Sequence, residues 1–78
     1  MEQGKFNGSK SFPAHTCGLL MLRYDGGNVI GVYAIDSYNA TQLKQIDNAT
    51  VTIDNNRIIT VTTDNQLDMM YKLIALHN

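Results

Sequence analysis

The segment Cys17–Asp36 constrains the fold more than any other part of this 78-residue chain. It predicts two strands, Leu19–Tyr24 and Val29–Ile35, because apolar and β-branched residues run up to an Asp-Gly-Gly-Asn turn on one side and away from it on the other. The glycines of this turn readily adopt the positive φ angles that a tight hairpin requires. We therefore expect a β-hairpin at the centre of the fold.

Both faces of this hairpin are predominantly apolar. A turn with Gly26 and Gly27 at its tip pairs Leu22 with Gly31, and paired residues share a face. One face then carries Leu20, Leu22, Tyr24, Val29, Gly31, Tyr33 and Ile35, and the other carries Leu19, Met21, Arg23, Ile30, Val32 and Ala34. An antiparallel strand pair normally leaves one face to water, so something must cover the second face here. The missing side chain of Gly31 predicts a bulge or a close approach by another group.

The segments Ala49–Ile53 and Arg57–Thr63 predict a second hairpin, which has only one apolar face. A three-residue loop from Asp54 to Asn56, with Asn56 in the left-handed region, pairs Val51 with Ile59. The apolar face then consists of Val51, Ile53, Ile59 and Val61, and the opposite face consists of Thr50, Thr52, Ile58, Thr60 and Thr62. We expect the threonine-rich face to be solvated.

Two further segments predict helices, which makes the expected fold class α+β. Asp64–His77 opens on an N-cap residue and has apolar residues at helical spacing, namely Leu67, Met70, Tyr71 and Ile74. Ser37–Ile46 is a shorter candidate. Residues 1–16 form a polar arm, either flexible or docked through Phe6 and Phe12, ahead of a single domain at 17–78. The order ββαββα predicts a small four-stranded, mainly antiparallel sheet with two helices on one face.

Two helices on one side of this sheet would leave the second apolar hairpin face uncovered. A domain this small is also only marginally stable alone, and oligomerisation is one common remedy. We therefore predict a homo-oligomer, specifically a dimer. The predicted interface consists of Leu19, Met21, Arg23, Ile30, Val32, Ala34, Leu73 and Leu76, and the opposite hairpin face, with Tyr24 and Tyr33, is the alternative.

Charge and hydropathy argue against several classes of partner and location. The net charge is −1 and no basic block occurs, so the phosphate neutralisation that drives nucleic-acid binding is not expected. No apolar run approaches the roughly 20 residues of a membrane-spanning helix. The single cysteine and the polar N-terminal sequence predict a reducing, cytoplasmic location.

No motif predicts a catalytic, metal or cofactor site. His15 and Cys17 are two residues apart, but a Cys–His nucleophile also needs a third, orienting group, and nothing supplies it. A metal site built from His15, Cys17 and His77 matches none of the usual zinc spacings. The aspartates occur mostly at predicted turns and caps, where local backbone chemistry explains them. An enzyme that uses Cys17 and His15 is therefore the least favoured of three hypotheses.

The favoured hypothesis is a small non-enzymatic interaction protein that binds and blocks or organises another macromolecule, such as an inhibitor from a phage or mobile element. Its basis is the small size, the lack of chemical motifs and the surplus apolar surface. The alternative is a small-molecule binding or sequestering module with its ligand at a subunit interface. The candidate ligand-binding residues are Arg23, Tyr24, Gly26, Gly27 and Tyr33.

Overall fold

The computed structural model describes residues 2–76, and over this range the fold is all-β, with eight strands and no helix. The α+β prediction is therefore wrong. No helix in this range could cross a membrane. The strands are β1 (Glu2–Phe6), β2 (Ser9–Pro13), β3 (Gly18–Tyr24), β4 (Ile30–Ile35), β5 (Ala40–Lys44), β6 (Ala49–Ile53), β7 (Ile58–Thr63) and β8 (Met69–Ala75).

The strands form two antiparallel sheets that enclose one core. The five-stranded sheet has the order β1-β8-β3-β4-β5, and the three-stranded sheet has the order β2-β7-β6. The chain passes from one sheet to the other between β1 and β2 at Asn7-Gly8, where Gly8 has φ 85°. Corners of this kind are typical of strands that switch between packed sheets.

Inward-facing side chains from both sheets meet in the core. Phe12 of the three-stranded sheet stacks on Tyr71 of the five-stranded sheet, with ring centroids 4.8 Å apart. The buried apolar residues are Phe12, Ala14, Leu20, Leu22, Tyr33, Ile35, Ile46, Ile59, Val61, Met69, Tyr71 and Leu73. This cluster uses one face of each sheet and leaves the other face of each sheet outside the core.

The first hairpin has the register that the sequence predicted. Leu20 pairs with Tyr33 and Leu22 pairs with Gly31, across strands β3 and β4. The predicted close approach at Gly31 is also present, because a Cβ built there would lie only 2.6 Å from Cγ2 of Ile46. Gly31 thus makes room for a buried isoleucine from the segment that follows β5.

The second hairpin has the predicted strands and faces, but its register differs by two residues. Val51 pairs with Val61, not with Ile59. A shift of two residues preserves the face on which each side chain lies, because the side-chain period of a strand is two. The threonine-rich face is therefore still directed away from the core.

The turn of the second hairpin explains the shift. Oδ1 of Asp54 accepts hydrogen bonds from the backbone N–H groups of Asn56 and Ile58, both at 2.9 Å. These bonds set a three-residue loop at residues 55–57, one position later than predicted. The left-handed residue is accordingly Arg57, with φ 59°, and the prediction for Asn56 is wrong.

Both predicted helices are strands. Half of Asp64–His77 is β8, an interior strand that pairs with β1 on one side and with β3 on the other. Its side chains alternate between core and exterior, so the strand pattern overrides the helical spacing that Leu67, Met70, Tyr71 and Ile74 suggested. Ser37–Ile46 contains the edge strand β5. His77 lies outside the described residues.

Two strands, β1 and β2, occupy the region for which the sequence predicts a polar arm. β1 pairs with β8, and β2 pairs with β7. Phe12 is 3% exposed, and Phe6 packs partly buried against the same core cluster. The domain that was expected at 17–78 therefore shares its sheets and its core with residues 2–13.

Candidate functional site

The exterior of the five-stranded sheet, which we call the outer face, is predominantly apolar on the adjacent strands β8, β3 and β4. Strand pairing places the side chains of adjacent strands next to each other. Met21 of β3 lies beside Val32 of β4 on one side and beside Lys72 of β8 on the other. The apolar members of the outer face are Leu19, Met21, Ile30, Val32, Ala34, Met70 and Ile74. These side chains range from half-buried to about 40% exposed, as at Leu19 (41%) and Ile74 (39%).

The outer face collects most of the interface residues predicted from the sequence. Leu19, Met21, Arg23, Ile30, Val32 and Ala34 all lie on it. Leu73 instead belongs to the core, where it is 4% exposed, and Leu76 follows β8 and is 69% exposed. Sequence reasoning missed Met70, Lys72 and Ile74, because it treated β8 as a helix. A strand pattern was present that could have identified these three residues, because they alternate with the buried residues Met69, Tyr71 and Leu73.

One end of the outer face contains a recess of about 570 Å³. It lies where β1, β8 and β3 run side by side, towards the turn that joins β3 to β4. The side chains that define it include Gln3, Lys5, Met21, Arg23, Met70 and Lys72. An apolar floor with a few polar groups at the rim is the usual composition of a binding recess.

Arg23 is held in place at this recess. Its Nη1 donates to the backbone oxygen of Gly27 at 2.9 Å, and its Nη2 contacts Sδ of Met70 at 3.1 Å. A guanidinium has five N–H donors in a planar fork, so these contacts leave donors for a further acceptor. The turn that the sequence identified therefore orients the arginine.

Four of the six cations of the chain lie on or beside the outer face, namely Lys5, Arg23, Lys44 and Lys72. Within residues 2–76, the only ion pair joins Lys5 to Asp25 at 3.5 Å, with both side chains about half exposed. The outer face therefore carries a local excess of positive charge, although the net charge of the chain is −1. Lys44 donates to the backbone oxygen of Ile30 at 3.0 Å.

The predicted ligand-binding residues are only partly brought together. Arg23 meets Gly27, and Gly26 forms the turn with φ 80°. Tyr33 faces the core at 3% exposure, and its hydroxyl donates to Oε1 of Gln42 at 3.2 Å. The Tyr24 hydroxyl is likewise directed inwards, to the backbone oxygen of Asp47 and the hydroxyl of Thr63. Neither tyrosine lies on the outer face with Arg23.

His15 and Cys17 are both exposed in the segment that precedes β3. Within the described part of the chain, no hydrogen bond joins their side chains, and no group of three potential ligands is placed to hold a metal ion. His77, the third candidate ligand, lies outside that part. We find no arrangement here that would activate the thiol.

The exterior of the three-stranded sheet is chemically different from the outer face. Its hydroxyl-bearing side chains are Ser9, Ser11, Thr50, Thr52, Thr60 and Thr62. The hydroxyls of Ser11 and Thr60 are 2.8 Å apart and hydrogen-bond across the strands. This hydroxyl-rich surface is readily hydrated, so it provides an internal control for tests of the outer face.

Comparisons of the chain with protein-family models, with curated proteins and with solved structures found no match. The geometry and chemistry of the outer face are therefore the basis on which a function can be inferred.

Tyr71 makes the stability of the fold depend on pH in the alkaline range. Burial, a hydrogen bond to Oε1 of Glu2 at 2.7 Å and the charge of Glu2 together raise the pKa of Tyr71 to about 12. Burial also raises the pKa of Tyr33. Both phenols therefore stay neutral in the folded state at a pH where unfolded tyrosines ionise.

We expect the contribution of the Tyr71 phenol to the free energy of unfolding to be constant below about pH 10, where the phenol is neutral in both states, and to be lost as the pH rises from about 10 to about 12. Urea denaturation of the wild type and of Tyr71→Phe at about pH 8 and about pH 11 measures this effect. The phenylalanine variant should lose less stability between the two pH values than the wild type. An equal loss in both proteins would contradict the prediction.

Proposed function

We propose that this protein is a non-enzymatic interaction module that binds a protein partner through its outer face. The observation that carries the proposal is the seven apolar side chains, contiguous on three adjacent strands, on the side of the sheet that faces away from the core. Contiguous apolar surface of this kind is characteristic of sites at which macromolecules associate. We place the interaction in the cytoplasm, on the basis of the single cysteine.

A partner of different sequence suits the outer face better than a second copy of this chain. Face-to-face packing of two copies would remove Arg23 and Lys72 of both copies from water. Among the described residues, the only carboxylate that lines the recess beside them is Asp25, which already pairs with Lys5. Buried charges without partners cost several kcal/mol each, on the order of the whole gain from a small apolar interface. The homodimer expected from the sequence is therefore the less favoured way to cover the outer face.

A small-molecule function is the second candidate, and the recess of about 570 Å³ is the observation that favours it. Its volume lies within the usual range for ligand pockets. Arg23 is the residue shared between this recess and the ligand site predicted from the sequence. The ligand would be anionic, since Lys5 and Lys72 also line the recess.

Selection from a displayed peptide library tests the proposed function even though the partner is unidentified. Met21→Asp places a charge at the centre of the outer face, and Leu19→Asp is a second variant at a more exposed position. Thr60→Asp is the matched control, because Thr60 lies on the central strand of the other sheet and is directed outwards. Circular dichroism and thermal melting establish that each variant is folded.

We expect the wild type and Thr60→Asp to enrich the same peptides, and the two outer-face variants to bind those peptides at least about tenfold more weakly, since a buried unpaired charge costs over 1.4 kcal/mol. Light scattering at micromolar concentration should give a monomer. Equal binding by all four proteins, or no enrichment at all, would overturn the proposal. A wild-type dimer disrupted by Met21→Asp would show instead that a second copy occupies the face.

A further inference from the structure

We infer that the outer face recognises an acidic peptide segment, in which a carboxylate binds Arg23 and Lys72 and a neighbouring aliphatic side chain enters the recess between Met21 and Met70. This inference rests on the proposed function and specifies the chemistry of the partner. Its basis is charge complementarity: the outer face places fixed positive charge around an apolar floor.

Arg23 is prepared to bind an anion before the partner arrives. The bond from its Nη1 to Gly27 and the contact of its Nη2 with Met70 hold the guanidinium against the apolar floor. A carboxylate that meets an immobilised guanidinium does not need to order a flexible side chain, which removes part of the entropy cost of binding. The partly buried position also limits screening by water and salt. A bidentate carboxylate contact is the strongest interaction that such a group makes.

Lys72 places a second positive charge within the same recess. It lies on β8 beside Met21 of β3 and Gln3 of β1. Within residues 2–76, neither Arg23 nor Lys72 has a carboxylate within 4.0 Å, whereas Lys5 has Asp25. The two cations therefore have no counter-charge among the described residues, and a partner can supply one.

The floor of the recess selects for an aliphatic group beside the carboxylate. Met21, Met70 and Ile30 line it. Methionine side chains are flexible and polarisable, and they adapt to side chains of different shapes. A leucine- or isoleucine-sized group is small enough to enter, and its entry would displace water from the apolar surface of the recess, which favours binding.

The same geometry disfavours two other anionic partners. The aromatic residues of β3, β4 and β8 are Tyr24, Tyr33 and Tyr71, and all three are directed inwards, so these strands provide no aromatic platform on the outer face that could stack a nucleic-acid base. An anionic lipid surface favours apolar side chains that project into the membrane. Here the apolar centre is recessed between Lys5, Arg23 and Lys72, which suits a side chain entering from outside.

The closing experiment uses the peptides enriched by the wild type. We expect these peptides to share an aspartate or glutamate within a few residues of an aliphatic residue. One such peptide, made with a fluorescent label, is titrated with wild type, Arg23→Gln, Lys72→Gln and Lys10→Gln. Lys10 is the matched control, because it lies on β2 of the other sheet and its change removes the same charge.

Arg23→Gln should weaken binding about 10- to 100-fold, the range expected for loss of a charge-assisted contact. Lys72→Gln should weaken binding about 3- to 10-fold, and Lys10→Gln should leave binding within about twofold of the wild type, as for a distant exposed charge. The peptide with its acidic residue changed to the corresponding amide should bind wild type and Arg23→Gln equally.

Two kinds of failure are distinguishable. Enriched peptides that are neutral or basic, yet bind the outer face and lose binding with Met21→Asp, would overturn the acidic-partner inference and leave the proposed function standing. Peptides insensitive to Met21→Asp would overturn both. Phosphatidylserine vesicles and single-stranded oligonucleotides are titrated in parallel. Binding of either that is tighter than the peptide and sensitive to Arg23→Gln would overturn the inference in favour of that partner.

Discussion

Gly18→Ala is expected to destabilise the protein by about 2–4 kcal/mol, because overpacking against backbone cannot be relieved by a change of rotamer. Gly18 is the first residue of β3, and it pairs with Ala75 of β8. A Cβ built on it would overlap the carbonyl group of Ile74, with the carbonyl carbon at 2.9 Å and Cα of Ala75 at 3.0 Å. The strand β8 would therefore have to move away from β3.

The size of this effect follows from the position of β8. The strand β8 joins β1 to the rest of the five-stranded sheet, and its Tyr71 stacks on Phe12 of the other sheet. Displacing its end also strains the hydrogen bond from the Leu76 N–H to the Cys17 oxygen, which is 2.8 Å long. A domain of this size has a total stability on the order of 4–12 kcal/mol, so the loss is a large part of it.

Urea denaturation followed by circular dichroism measures the Gly18→Ala effect, and Cys17→Ala is the matched control. Cys17 is the adjacent residue, and its side chain is exposed, so its replacement should change the free energy of unfolding by less than about 0.5 kcal/mol. A Gly18→Ala protein as stable as this control would mean that β3 and β8 do not approach as closely as described.

Ile59→Ala should cost about 2–5 kcal/mol, whereas Ile58→Ala should cost about 1 kcal/mol. The two isoleucines are neighbours on β7, the central strand of the three-stranded sheet. Ile59 is 0% exposed and faces the core, so truncation leaves a cavity between the sheets. Ile58 is half-buried on the opposite face, beside Pro13 of β2.

This pair makes a sharp test, because both variants delete the same atoms from the same strand. Differences in the unfolded state and in intrinsic strand propensity are therefore nearly cancelled. Chemical denaturation of the two variants gives the difference directly. Equal losses would contradict the assignment of Ile59 to the core. A larger loss at Ile58 would mean that the hairpin packs with the opposite face inwards.

The two hairpins could be predicted because their signals are local. The turns at Gly26-Gly27 and after Asp54 lie between segments that alternate or run apolar, and the two faces of each hairpin follow from a period of two. Even the register error of two residues at Val51 left every side chain on its predicted face. The outer-face residues of β3 and β4 could therefore be identified from the sequence, without the strands that surround them.

The segment that became β8 could not be predicted in the same way. Leu67, Met70, Tyr71 and Ile74 match a helical stripe, and Met69, Tyr71 and Leu73 match one face of a strand. The free edges of β1 and β3 decide in favour of the strand, because a strand between β1 and β3 forms backbone hydrogen bonds on both of its sides. That information lies about 50 and about 70 residues away in the chain, so no local pattern contains it.

The sequence by itself therefore determined the two hairpins, which of their side chains share a face and the apolar character of the surface on which a partner is proposed to bind. The tertiary structure alone decided that β8 and β1 complete the sheet, that Gly18 must lack a side chain and that Lys72 joins Arg23 beside one recess. The physical reason is that turns and alternation depend on neighbouring residues, whereas strand order depends on pairing between distant segments that compete for the same edges.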